Sequence, residues 1–325
     1  MMDSLTLKYG KNTIMMADSN ETMDIERIST GHYEIDEQCG GGIPRGRITE
    51  VYGPESSGKT TLALQVIRES QRAGLRAALI DVEQAIGFEY CTKMGIDLSK
   101  LLFSQPGSAE EALEIAEVMM KSGQVDLIVV DSVAAMATRR ELEGAVGDEH
   151  VAELARIMSK ELKKSLAVIK KNKVAIIFIN QIRDKPAVKF GKKSTTPGGR
   201  ALKFYASLRL EIVRLEAIYQ TVSGDKFEVG QLNQIESVKS KVGPPKRKLR
   251  VELRYAIDLG NGTVQAPGYD AISNLIDTLV DTSIITKKKA YFTMQDGTQL
   301  LGKDAVREFL QDKTMLAKYL DLIKK

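Results

Sequence analysis

Tryptophan is absent from the 325 residues, aromatic residues make up only 6% of them, and cysteine occurs twice, at Cys39 and Cys91. So little aromatic surface argues against a carbohydrate-stacking platform or an aromatic cage. Two cysteines cannot build a disulfide framework, which points to a reducing, cytoplasmic compartment. No run approaches the roughly 20 apolar residues that span a bilayer, so no membrane association is expected. The first ten residues lack a basic stretch followed by an apolar one, so no secretory leader is expected either. Histidine is also scarce: His32 and His150 have no Cys or His partner at ligand spacing, which leaves no zinc site. Charge of one sign is missing too, with 47 basic against 43 acidic residues and a net of +4. As a sum, that does not indicate a polyanionic partner.

What is present reads as a soluble globular chain, 43% hydrophobic and 28% charged. Its length suits two domains. Residues 1–20 are polar and weakly patterned. Short apolar runs then alternate with helical patterns: a strand at 48–52, a helix at 59–73, strands at 77–80, 127–130 and 174–179, and helices at 109–121 and from 151 onward. Strands alternating with helices predict an α/β fold with a mostly parallel sheet covered on both faces. The all-apolar runs Leu127-Ile128-Val129-Val130 and Ala175-Ile176-Ile177-Phe178-Ile179 fit strands buried on both sides. On the long helix, Val151, Leu154, Ala155, Met158, Leu162, Leu166 and Ile169 share a face. After residue 205, alternation at Leu208, Leu210 and Ile212, and at Leu249, Val251, Leu253 and Tyr255, predicts half-buried, antiparallel strands extending the sheet. The turn signal Gly260-Asn261-Gly262 sets a boundary: a core over 21–260 and a small α/β C-terminal domain over 261–325.

Gly53-Pro54-Glu55-Ser56-Ser57-Gly58-Lys59-Thr60 fits the phosphate-loop pattern, directly after a strand and before a helix. Its glycines let backbone N–H groups converge on phosphate oxygens, and the helix N-terminus adds positive potential. Lys59 would reach the β and γ phosphates and Thr60 would ligate Mg²⁺. Asp131, ending the run 127–130, is the candidate for the metal side. Hydrolysis also needs a group that orients or deprotonates water. Asp81 and Glu83 both close the strand 77–80 and, by alternation, point to one side, so either could serve. Gln181 ends the strand at 174–180, where a γ-phosphate could be sensed.

The stretch 183–203 carries Arg183, Lys185, Lys189, Lys192, Lys193, Arg200 and Lys203 against one acid, Asp184, with Gly191, Gly198, Gly199 and Phe190 interleaved. That composition suits backbone contact with nucleic acid at little base specificity, with Phe190 as the stacking or wedging group. Residues 239–250 add six more cations and no acid, so the near-neutral sum conceals a cationic face expected beside the nucleotide site.

Taken together, Gly-Pro-Glu-Ser-Ser-Gly-Lys-Thr-Thr at 53–61, Val-Val-Asp-Ser-Val-Ala-Ala at 129–135, Ile-Asn-Gln-Ile-Arg at 179–183, Ile-Ser-Thr-Gly at 28–31, Glu-Gly-Ala-Val-Gly-Asp at 143–148 and Gly-Gly-Arg-Ala-Leu-Lys-Phe-Tyr-Ala-Ser at 198–207 resemble the bacterial RecA recombinases. The resemblance implies a RecA-like core and an ATP- and Mg²⁺-dependent filament on single-stranded DNA that pairs and exchanges strands with double-stranded DNA in recombination, repair and the SOS response. It implies that Glu83 activates water, that Gln181 couples the γ-phosphate to the loop after it, and that Thr61 lies with the phosphate loop and Tyr90 against adenine. It further implies that Lys239 and Lys241 act on the neighbouring protomer's ATP, that Phe204 is an interface residue, and that the DNA loops are 141–152, with Glu143 and Gly144, and 184–199. A repressor protein is a candidate partner, because some relatives promote repressor cleavage.

The sequence departs from the family at several points. Gly87 stands where the family usually has an acid contacting adenine, so strict adenine selectivity is not implied, and Gln84 stands where His is common. The match to Tyr9-Gly10-Lys11 comes almost at once, which implies a largely missing docking helix and weaker or differently built filament contacts. The ending Asp321-Leu322-Ile323-Lys324-Lys325 implies no acidic tail to restrain DNA binding, compatible with a phage or plasmid origin. Two other readings of the same core are an accessory ATPase that binds nucleotide and oligomerises without exchanging strands, and a hexameric helicase motor. The complete set Lys59, Thr60, Glu83, Asp131 and Gln181 favours the recombinase.

Overall fold

The computed structural model describes residues 2–9, 25–145, 152–184, 194–222, 224–258 and 264–323. Its main sheet has nine strands: β1 Ile48–Gly53, β2 Ala77–Asp81, β3 Leu101–Ser104, β4 Leu127–Asp131, β5 Ala175–Gln181, β6 Leu208–Val222, β7 Asp225–Ser240, β8 Lys248–Arg254 and β9 Gly268–Tyr269. Across the sheet they run β9-β8-β7-β6-β1-β5-β4-β2-β3. The six strands from β3 to β6 pair in parallel, and β7, β8 and β9 extend them antiparallel. The expected mostly parallel α/β sheet is therefore present. β6 itself differs from the expected antiparallel texture, since it runs parallel to β1 and turns antiparallel only towards β7.

The apolar runs explain the layering. Leu127 and Val129 of β4 enter one core with Ala175, Ile177 and Ile179 of β5 and with Leu62, Leu64 and Ile67 of helix α1, Lys59–Arg72. Their alternates Ile128, Val130, Ile176 and Phe178 enter a second core on the opposite face, under α2 (Ala109–Ser122) and α3 (Glu153–Asn172). A strand can be apolar at every position only when both faces are covered in this way. On α3 the buried stripe is Met158, Leu162, Ser165 and Ile169. The expected Leu166 is 38% exposed, because the helix rolls Ser165 inward, where its hydroxyl donates to Glu161 O at 2.8 Å. Val151 lies outside the described residues.

Several elements were not legible in advance. β3 is a four-residue edge strand without a fully buried position. The segment Met2–Tyr9 is helical although it is weakly patterned, and its Leu7 is exposed. A last helix, Lys313–Ile323, follows Gly302–Gln311. Beyond β9, helix α4 (Ala271–Asp281) starts a separate apolar cluster, with Leu275, Ile276, Leu279, Phe292, Val306, Leu310 and Tyr319. Its N-cap, Asp270, accepts the N–H groups of Ile272 and Ser273. This cluster is tied to the core through Glu34, whose carboxylate accepts Asn274 Nδ2 at 2.9 Å and Thr278 Oγ1 at 2.7 Å.

One buried charge pair locks β1 to β6. Glu50 is fully buried, and Arg209 Nε donates to its Oε2 at 2.5 Å while the guanidinium lies 4.5 Å from the Tyr52 ring centroid. Asn180 Nδ2 donates to the other oxygen and to Pro197 O, both at 3.2 Å. Removing one member of such a pair strands the other charge. Arg209→Met should therefore cost about 3–5 kcal/mol in urea unfolding. The pairing account predicts that Glu50→Gln together with Arg209→Met recovers most of that loss; a double variant as unstable as the single would contradict it.

Candidate functional site

The carboxyl ends of the central parallel strands form one row. Gly53 at the end of β1 is the register partner of Gln181 at the end of β5, and Asp131 at the end of β4 is the partner of Asp81 at the end of β2. Open α/β sheets bind ligands at this edge. The loop 53–60 leaves β1 here and enters α1. Gly53 has no room for a side chain, since a Cβ would come within 2.0 Å of Ile212 O. Gly58 takes φ +84°, and a Cβ there would meet Leu253 and Tyr269 at 2.8 Å.

The loop is held by its carbonyls. Gln231 Nε2 donates to Ser56 O at 3.2 Å, Asn233 Nδ2 to Ser57 O at 3.0 Å, and the Tyr269 hydroxyl to Gly58 O at 3.3 Å. With its C=O groups satisfied from outside, the loop can turn its N–H groups inward, the arrangement an anion needs. Lys59, only 7% exposed, donates Nζ to Pro54 O at 2.6 Å, and burial pushes its ammonium pKa down. Glu55 is exposed at the loop's crown.

Thr60 Oγ1 donates to Asp131 Oδ2 at 2.7 Å. Asp131 Oδ1 is buried without a partner among the described residues, as is Ser57 Oγ. Burial drives the Asp131 carboxyl up to about 6, against the pull of the Thr60 bond and with Glu83 and Asp81 adding repulsion. A hydroxyl beside a desolvated carboxylate with one open oxygen is a hard-oxygen donor set of the kind Mg²⁺ takes together with phosphate oxygens.

Asp81 and Glu83 do not share a side. β2 ends at Asp81, whose fully buried carboxylate accepts the N–H groups of Ala85 and Ile86 and Gln105 Nε2 at 3.1 Å. The chain bends at Val82, so strand alternation no longer applies, and Glu83 emerges exposed with its N–H on Asp131 O at 3.1 Å. Asp81 thus holds the turn, and Glu83 alone is free to face solvent at the site.

A cavity of about 470 Å³ opens beside the loop, lined by Ser56, Gly58, Lys59, Thr60, Thr61, Tyr90, Arg214, Leu253 and Tyr255. Tyr90 is held by its hydroxyl, 3.1 Å from Thr61 Oγ1. Sequence reading did not select Arg214, Gln231, Asn233, Tyr255 or Tyr269 for this site, because they come from strands far along the chain that carry no motif. The available signal was Gln231 and Asn233, polar residues placed inside a strand.

Lys239 and Lys241 are not near this loop in their own chain. Lys239 pairs with Arg209, level with Glu50. The Lys241 N–H bonds Ser207 O, and the Ser207 N–H bonds Ile48 O. That places Lys241 two strands across and five residues before Gly53, about 16 Å back along the strand direction. Lys239 Nζ is held on Lys203 O and Phe204 O, at 2.6 and 3.0 Å, at the end of the helix Ala201–Tyr205, where Phe204 is 66% exposed. Lys239 and Lys241, at the start of the cationic stretch, therefore lie back from the chain's own nucleotide loop, whereas Arg250 at its far end pairs with Gln234, next to the loop-holding Asn233.

Of the expected DNA-contacting residues, Glu143 ends an exposed five-residue helix capped by Gly144, whose N–H bonds Arg140 O. Arg183 begins a short strand, Arg183–Asp184, paired with Ser194–Thr195. Gly198 and Gly199 have φ +77° and +74° and abut Val133 and Ala155 so closely that a Cβ would come within 2.9 and 2.6 Å of them. Lys185, Lys189, Phe190, Lys192 and Lys193 lie outside the described residues, as does His150.

Against known proteins, a family model for the RecA N-terminal domain matches residues 1–260. Protein RecA of Clostridium novyi is 44% identical over 306 residues, covering 94% of this chain and 83% of that protein. Protein RecA of Acinetobacter baumannii is 41% identical over 321 residues, covering 98% and 88%. Protein RecA of Streptomyces coelicolor is 42% identical over 315 residues, covering 97% and 80%. Among solved structures, the RadB recombinase is similar with TM-score 0.52 at 24% identity, over 70% of this chain and 96% of that one, a likeness of fold.

The raised Asp131 pKa makes a testable statement about stability. Its folded value lies above the ordinary 3.8, so the charged form opposes folding, a penalty fully present above pH 6 and relieved as pH falls through that value. Asp131→Asn should raise the melting temperature of the ligand-free protein by several degrees at pH 7.5. The same change should sharply weaken Mg²⁺-dependent nucleotide binding. A lower melting temperature at that pH would contradict the account.

Proposed function

Because the chain belongs to the RecA family, we propose that it is a DNA-dependent ATPase that assembles as a helical filament on single-stranded DNA and carries out homologous pairing and strand exchange with double-stranded DNA in the cytoplasm. The observation carrying the nucleotide part is the row Gly53, Gln181, Asp131 at adjacent strand ends, with Thr60 bonded to Asp131. In this reading the loop N–H groups and Lys59 bind the phosphates, while Thr60 and Asp131 hold Mg²⁺. Bound Mg²⁺ supplies neutralisation of charge developing on the transferring phosphate.

Glu83 accepts the proton of the attacking water. Burial takes Asp81 out of contention and leaves Glu83 exposed beside Lys59 and Asp131, both of which feel its charge. Gln181, half-buried beside Gly53, senses the phosphate end and begins the segment leading to the cationic loop. Tyr90 and Tyr255 supply the aromatic walls for the base.

Lys239 and Lys241, which cannot reach their own loop, serve the neighbour's γ-phosphate, the role an arginine finger fills elsewhere. A filament is the assembly that supplies them: a head-to-tail interface repeats one patch against a different one. Arg183, Lys185, Lys189, Lys192 and Lys193 neutralise DNA phosphates, Phe190 wedges or stacks, and Glu143 and Gly144 belong to the other DNA loop, 141–152. The accessory-ATPase alternative gains no specific observation, and the presence of Lys59, Thr60, Glu83, Asp131 and Gln181 together supports the hydrolytic reading.

ATP hydrolysis should rise with single-stranded DNA, and equal turnover with and without DNA would defeat the reading. Strand exchange between homologous DNAs should proceed with ATP and Mg²⁺ and fail in Lys59→Ala. Glu83→Gln should bind ATP and DNA but turn over at least 100-fold more slowly. Mixing tests the shared site. Glu83→Gln and the Lys239→Ala/Lys241→Ala double variant should each be inactive alone. An equal mixture should regain activity at about a quarter of its interfaces, where an intact Glu83 meets an intact lysine pair. A mixture as dead as its components would place the lysines outside the site.

A further inference from the structure

At the base end of the cavity the lining is Tyr90, Leu253, Tyr255 and Arg214, and none of the nine residues lining the whole cavity is acidic. A purine between two tyrosine rings gains stacking that does not depend on its substituents. Discrimination must come from groups at its edge. Arg214 lies on β6 at an irregularity: the β6–β7 register slips between Arg214 and Glu216, leaving Leu215 without a partner. A bulge of this kind re-aims the neighbouring side chain, and bulges concentrate beside binding sites.

Arg214 Nη2 donates to Glu228 Oε1 at 2.8 Å across the hairpin, and both side chains remain more than a third exposed. The Tyr255 hydroxyl donates to Gln231 Oε1 at 2.8 Å and lies 3.3 Å from the same Glu228 oxygen, sharing its one hydrogen between them. Gln231 in turn holds the phosphate loop through Ser56 O. The ion pair is therefore fixed to an aromatic wall of the cavity and, through it, to the loop that would carry the phosphates. The rest of the Arg214 fork and Glu228 Oε2 make no bond within the described residues.

Arg214 lines the cavity, and Glu228, just outside the lining and bonded to Arg214 and Tyr255, adds the opposite sign beside it. An arginine fork is complementary to the O6 and N7 acceptors of guanine. A carboxylate oxygen accepts from the exocyclic amino group of adenine, while the arginine still serves N7. We propose that Arg214 and Glu228 read the base edge of the bound nucleotide, and that the site takes 6-amino and 6-oxo purine nucleotides alike. The inference rests on the nucleotide reading above and names its substrate class. A cytosine nucleotide keeps its phosphate contacts and some stacking, but its single ring carries no N7–O6 edge for the arginine fork.

Equilibrium titration of the full chain with ADP, GDP and CDP, each with Mg²⁺, tests this without turnover. ADP and GDP should bind within about tenfold of each other and CDP more than tenfold more weakly than either, given about 1–3 kcal/mol for a good bidentate contact. A preference above tenfold between the two purines overturns the proposal, as does CDP binding as tightly as they do. Arg214→Ala should weaken GDP at least fivefold more than ADP, and Arg214→Lys, which keeps the charge and loses the fork, should do the same. Glu228→Ala should weaken ADP at least fivefold more than GDP. Ratios that stay within fivefold in all three variants, with melting temperatures showing each to be folded, assign the pair to the hairpin alone. Failure of all three nucleotides to bind the unaltered chain would instead overturn the nucleotide reading itself.

Discussion

A loop that must present N–H groups to an anion has to dispose of its carbonyls elsewhere, and the architecture around residues 53–60 follows from that constraint. Gln231, Asn233 and Tyr269 take the carbonyls of Ser56, Ser57 and Gly58. None of the three is on a strand adjacent to β1; they come from β7 and β9, on the antiparallel side of the sheet. The antiparallel extension is thus more than an ornament on a parallel core, since it supplies the outer half of the loop's hydrogen bonding. It also brings Leu253 and Tyr255 into the cavity wall, beside Arg214 of β6.

The inner half comes from the parallel strands. Because β1, β5, β4 and β2 are buried on both faces, a one-residue slip would carry each strand's side chains into the opposite core, where the close-packed neighbours fit a different set. That rigidity fixes Gly53 opposite Gln181 and Asp131 opposite Asp81. The desolvation that raises the Asp131 carboxyl is the companion of the same burial, so the group is held unfavourably for the fold and favourably for a cation.

How much of this was legible in the sequence follows from where each signal lives. The phosphate loop and the strand ends at Asp131 and Gln181 are local patterns, so they could be read directly. The choice between Asp81 and Glu83 could not be read, because both obey the alternation of an extended strand until the chain bends at Val82, and the bend is set by what the Asp81 carboxylate holds. Gln231, Asn233 and Tyr269 act across about 175 to 210 positions of separation, which no periodicity reports. Within the cationic stretch 239–250 composition carries no register: pairing with Arg209 and Ser207 sets Lys239 and Lys241 back from the loop, while Arg250 pairs with Gln234 beside Asn233.

That setback has a consequence for an assembled row. When each complete site needs a glutamate from one copy and a lysine pair from the next, catalysis belongs to the junctions and not to the copies. Any finite row then holds one fewer working junction than members. The member at one end would keep its nucleotide uncut while its neighbours turned theirs over, so the two ends would become chemically unlike. Polarity in time would then be added to polarity in space, through two lysines set back from the loop at the end of β7.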